Sequence, residues 1–144
     1  MLLPAVLAAI SVFAGGPATV QCQASLGSDA GLAFPAEHRI ELVSRECQQL
    51  NWMVRHRRLP LPHKEKDGSL TGVEPEWIQS LVVAVHEAGH LRYPNSSEGC
   101  VQRYALRHVK LFAKRFRFSK RDLATVVWES DYWIDNPIYR TCDA

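Results

Sequence analysis

The sequence predicts an all-α fold: a small four-helix domain crosslinked by two disulfides, following an N-terminal signal peptide. Three observations predict it. Apolar residues recur at offsets of three, four and seven in successive stretches, which places them on single helix faces. The 4 cysteines are widely spaced, a pattern that suits structural disulfides in an exported chain better than a zinc ribbon or a redox CxxC pair. Residues 1–28 carry no charged side chain and open on an apolar run from Leu2 to Ala14.

That run is shorter than the roughly 20 residues of a membrane span. Gly15, Gly16 and Pro17 break it before small residues suited to cleavage. It reads as a signal peptide over residues 1–18, with a short buried helix as the alternative. Cleavage after Ala18 keeps Cys22, Cys47, Cys100 and Cys142 together, so that all four can pair. Their pairing stays open. The expected location is secreted or periplasmic, with no transmembrane segment once the signal is gone.

Residues 19–35 are mostly small and polar and are expected to form a flexible arm. The remaining residues, 36–144, suffice for one domain with one core. The first helix is expected over residues 36–57, where Ile40, Val43, Cys47, Leu50 and Val54 share a face. Residues 55–73 break the pattern with Pro60, Pro62, Gly68 and Gly72 and read as a charged surface loop; the Arg55 to Arg58 cluster suits a helix C-terminus. No strand is expected before residue 75.

The second helix, 75–92, is the most apolar stretch beyond the leader. Pro75 suits a first helical position, Glu76 the positive end of the helix dipole, and Pro94 stops the run. At 100° per residue, Trp77, Ile78, Leu81, Val85 and Ala88 define the buried side. His86 and His90 point away from it, toward solvent or a cleft made by another segment. Asn95, Ser96, Ser97 and Glu98 supply a cap and an early acid for a third helix ending near residue 117. Its Val101, Ala105, Val109, Phe112 and Phe116 face the core, while Arg103, Arg107, Lys110, Lys114 and Arg117 line the opposite side. Ser119 to Asp122 opens a fourth helix over residues 120–134, and Cys142 ties down the tail.

Two functions follow from these residues. The net charge of +2 implies no strong partner preference, and nucleic acid is not the expected partner. The stripe Arg103, Arg107, Lys110, Lys114 and Arg117 lacks interleaved acids, so it repels itself and suits a protein or other anionic partner. The leading expectation is therefore an exported interaction module, of the inhibitor or immunity type, which needs no cofactor. The alternative lies in His86-Glu87-Ala88-Gly89-His90. An HExxH pattern puts two imidazoles on adjacent turns with a carboxylate beside the first.

This pentapeptide resembles the signature of the zincin metallopeptidases, and its HEAGH form is similar to that of membrane-tethered AAA proteases. The resemblance implies zinc as cofactor, His86 and His90 as its ligands, Glu87 as the general base, and an edge strand beside the helix to hold substrate. It covers five residues. Arg92 departs from the usual signature, and the third ligand stays open among Glu98, Glu129, Asp131 and Asp135.

Overall fold

The computed structural model describes residues 1–60, 75–134 and 142. Part of the expected 55–73 loop, the residue Asp135 and most of the C-terminal tail lie outside the described residues. The fold is mostly helical, with a three-stranded sheet on one side. In chain order it runs α1 (Pro4–Phe13), β1 (Thr19–Gln23), β2 (Gly31–Phe34), β3 (Arg39–Val43), α2 (Ser44–His56), α3 (Pro75–Arg92), α4 (Glu98–Lys114) and α5 (Lys120–Ile134).

The sheet corrects the all-α expectation and that of no strand before residue 75, and two element assignments with them. Residues 19–35 are not a flexible arm, and residues 36–57 are not one helix. Arg-Ile-Glu-Leu-Val at 39–43 alternates, burying Ile40 and Leu42 while their neighbours stay half-exposed, which is the period of a strand. The strand order is β1-β3-β2, with β1 parallel and β2 antiparallel to β3. Helix α2 then starts directly from β3 and ends at Arg57, whose left-handed φ of 55° lets its N–H bond Met53 O at 2.8 Å.

Residues 1–18, the expected leader, contain helix α1. Helix α1 packs against α2, α3 and α4, burying Val6, Ile10 and Phe13 in the common core. Polar bonds hold both of its ends. Asn51 accepts from Leu3 N–H at 2.8 Å and donates to Met1 O at 2.8 Å, and Tyr104 O–H donates to Phe13 O at 3.0 Å. A ten-residue apolar run matches the length of a buried helix as well as that of a signal, and here its surface is spent on packing.

Helix α3 is the hub. Helices α1, α2, α4 and α5 and strands β2 and β3 all pack on it, which accounts for an apolar surface that extends around most of its circumference. Pro75 and Glu76 begin it, and the Tyr93 N–H bond to Gly89 O closes its last turn. Ser97 caps α4 by accepting from Cys100 N–H at 3.2 Å, and Ser119 caps α5 by accepting from Asp122 N–H at 3.2 Å.

Two disulfides cross-link the fold, Cys22–Cys47 between β1 and α2 and Cys100–Cys142 between α4 and the tail. Closing loops of 25 and 42 residues contributes about 3–4 kcal/mol each on a chain-entropy account. The pair fits an oxidising compartment, extracellular or periplasmic. Among the described residues no helix is long and apolar enough to cross a membrane.

If α1 belongs to the folded domain, Ile10→Ala should lower the free energy of urea unfolding by about 2–5 kcal/mol. A change within about 0.5 kcal/mol, the range of a surface substitution, would return residues 1–18 to the role of a leader.

Candidate functional site

The imidazoles of α3 open into a cleft of about 760 Å³ between β2 and the start of α4. Its floor is α3, through Gln79, Val82, Val83, His86, Glu87 and His90. The sheet wall is built from residues 29–33, the far wall from Glu98 and Gln102, and Trp133 of α5 also lines it.

Three side chains converge on one point. His86 Nε2 lies 3.0 Å from Glu98 Oε2, His90 Nε2 lies 3.0 Å from Glu98 Oε1, and the two Nε2 atoms are 3.1 Å apart. The connection from α3 to α4 is short, so the helices form a hairpin. The first residue of α4 therefore lands beside the last turns of α3, and Gln102, one turn further, meets His86. Two glycines permit the close approach on either side. A Cβ on Gly89 would stand 2.8 Å from Tyr104 Cδ1 and 3.1 Å from Val101 Cγ1, and one on Gly31 would stand 2.9 Å from Glu87 Cγ.

Hydrogen bonds orient the first imidazole. Gln102 Oε1 sits 2.6 Å from His86 Nδ1, so it accepts the ring proton there and turns Nε2 toward Glu98. Burial lowers the His86 pKa, an effect opposed by Gln102 and Glu98 and aided by His90. Burial pushes Glu98 upward, but the charges of His90 and His86 and their hydrogen bonds overcome it and hold its carboxyl below the ordinary value. Its position in the first turn of α4 favours the same charged form.

Glu87 behaves differently. Buried to 8 % exposure under β2, its carboxyl is pushed up to about 8 by desolvation first and then by the negative charges of Glu98 and Asp29. A divalent cation beside it reverses that electrostatic preference.

The cluster's geometry fits a small divalent cation. Bonds of about 2.0–2.1 Å at tetrahedral angles separate ligand atoms by about 3.3 Å, close to the 3.0–3.1 Å found here. Two imidazole nitrogens and a carboxylate are also the donor set of catalytic zinc sites that keep a fourth position open.

Of the sequence candidates for third ligand, the structure brings Glu98 to the imidazoles. Glu129 and Asp131 lie on α5 outside the cluster, and Asp135 is beyond the described residues. Gln102, Gly31 and the strand β2 were not indicated by any motif, although the short link after residue 92 points to residues 98 and 102 once the two helices are taken as a hairpin. The cationic stripe is elsewhere. Helix α4 ends at Lys114, short of the expected residue 117; Arg107, Lys110 and Lys114 are exposed on it, Arg117 is exposed beyond its end, and none of the four forms an ion pair among the described residues, whereas Arg103 is half-buried.

Strand β2 adds a substrate-sized feature. It pairs with β3 on one side only, and among the described residues no strand covers its other edge. Val43 N–H bonds Ala30 O at 2.9 Å, so by antiparallel alternation the backbone groups of Gly31 and Ala33 turn toward the open edge.

No family model matches the chain, and no curated protein or solved structure matches it. Function is accordingly read from the site itself.

Gln102→Leu keeps the bulk of the side chain and removes the acceptor that orients His86. It should weaken zinc binding by about 10- to 100-fold in a competition assay with a chromophoric chelator. Unchanged affinity would show that Gln102 does not set the His86 tautomer.

Proposed function

We propose that this protein is a zinc-dependent peptidase whose active site is formed by His86, His90, Glu98 and Glu87. The observation that carries the reading is the Glu98 carboxylate, which faces both HExxH imidazoles at 3.0 Å from a second helix. The partly covered position of this cluster under an exposed strand edge supports the same reading.

His86, His90 and Glu98 are the residues to hold zinc. A zinc ion there supplies Lewis-acid polarisation to a peptide carbonyl and to the attacking water. The free edge of β2 offers the Gly31 and Ala33 backbone groups to an extended peptide, which adds as a further strand and brings one carbonyl over the cleft floor. Glu87, beneath Gly31, is placed to take a proton from the attacking water and deliver it to the departing amide nitrogen. The net change is one C–N bond broken, one C–O bond formed and one water consumed. Burial of Glu87 limits competing solvent contact, and Gln102 maintains the orientation of His86.

A second reading has its own observation. The exposed cations Arg107, Lys110, Lys114 and Arg117, without ion pairs among the described residues, support an anionic docking partner, the role expected first from the sequence. A stripe of this kind is compatible with a peptidase that works near an acidic surface, so it is subordinate to the site rather than opposed to it.

Untagged protein should carry close to one zinc per chain by elemental mass spectrometry. Glu87→Gln should keep that zinc and lose about 10²- to 10⁴-fold in peptide hydrolysis, while Glu98→Ala should lose both. Hydrolysis by Glu87→Gln at the parent rate, or unaltered zinc affinity in Glu98→Ala, contradicts the assignment.

A further inference from the structure

A second acid lines the cleft outside the ligand cluster. Glu46 belongs to the first turn of α2 and is 3 % exposed; it borders the cleft together with the cation Arg45 and with Asp29, Ala30, Gln79 and Val82. Its Oε2 makes no hydrogen bond. Its Oε1 has Arg45 Nη2 at 3.4 Å, from a side chain that is 59 % exposed and also reaches toward Glu76 at 3.6 Å.

The ordinary structural uses of such a carboxylate are already taken. A glutamate at the third position of a helix commonly turns back to the N-cap amide, but that amide, Val43 N–H, is committed to Ala30 O at 2.9 Å. One turn along α2, Gln49 bonds Glu76 Oε1 at 3.3 Å and accepts from Ser80 O–H, and Ser80 O–H also contacts Glu76 O at 3.2 Å. These polar groups satisfy one another and leave Glu46 out. A buried carboxylate oxygen without a donor is unfavourable, and its residue lies in the cleft wall.

Asp29 supplies a second negative charge on the same wall, exposed and just before β2. The pair lacks the convergent donor set of a metal site: the metal-capable group among the described residues is His86, His90 and Glu98. Hydrogen-bond donors on an organic cation suit it better.

We propose that Glu46, assisted by Asp29, forms a subsite for a positively charged substrate side chain, making the enzyme selective for peptides with Lys or Arg near the scissile bond. The proposal rests on the peptidase reading. Strand addition along β2 carries a bound peptide past Gly31 toward Asp29 and α2, so a residue close to the reacting carbonyl is the one that reaches Glu46. A long aliphatic stem crosses Val82 and Ala30 while its charged end meets the carboxylate.

The test is a set of peptides in which Lys replaces norleucine at each position flanking the cleavage site. At one position the parent should favour Lys by at least about tenfold in kcat/KM, equivalent to one charge-assisted contact. Glu46→Gln should bring that ratio close to one. Asp29→Asn, an exposed change that leaves the core untouched, should lower it about two- to threefold. A parent ratio near one at every position, or a ratio that survives Glu46→Gln in protein with the parent's circular dichroism and melting temperature, overturns the subsite. If no peptide is cleaved, the peptidase reading fails by itself, and calorimetric binding of the same Lys and norleucine peptides decides the subsite. Tighter Lys binding that Glu46→Gln abolishes sustains it; equal binding of the two peptides removes it.

Discussion

The close crossing of α3 and α4 at Gly89 is the contact on which the site depends. A hydrogen in place of a side chain lets Tyr104 and Val101 press onto the turn between His86 and His90. That approach carries the start of α4 far enough for one carboxylate to face both imidazoles. Gly31 performs the matching service on the other wall, where β2 rests on Val83 and Glu87. Larger residues at these two points would move the walls apart and with them Glu98 and the strand edge. The cleft is thus a product of backbone proximity before it is a product of chemistry.

Around that crossing, the remaining elements fix α3 by burial. Helix α1 covers one side with Val6, Ile10 and Phe13, the sheet another with Ile40 and Leu42, and α2 a third with Leu50 and Met53. The Cys22–Cys47 disulfide fastens the sheet to α2, and Cys100–Cys142 fastens the tail to the first turn of α4, two residues from Glu98. Side chains held within such packing lose little further entropy when they bind a ligand together. His86 and His90 sit on that packed helix, whereas the Glu98 side chain is exposed at the start of α4.

The helical half of the fold was legible because its signals are local. Caps at Ser97 and Ser119, the apolar period of 101–116 and the bracketing prolines of 75–92 each lie within a few residues of what they determine. The sheet was not legible for the opposite reason. Ile40 and Val43 satisfy a helical offset as well as strand alternation, and β1 finds its parallel partner only across some twenty residues of chain. At the apolar start, composition does not separate a ten-residue core helix from a leader. At the site, the outward direction of His86 and His90 was readable from helix rotation. The approach of Glu98 to both imidazoles required the hairpin geometry, which brings residue 98 to residue 90 and residue 102 to residue 86. No strand is expected before residue 75 because the alternation of β2 is hidden by Gly31 and Ala33, yet it forms the edge strand of the sheet.

The central claim is that two imidazoles and one carboxylate form a single zinc shell. X-ray absorption at the zinc K-edge on the metal-loaded protein tests it most directly. The predicted spectrum has nitrogen and oxygen ligands at about 2.0–2.2 Å, with the multiple scattering of two imidazole rings, and changes when Glu98 is replaced by Ala. A shell with fewer than two imidazoles, or one indifferent to the Glu98 replacement, would contradict it.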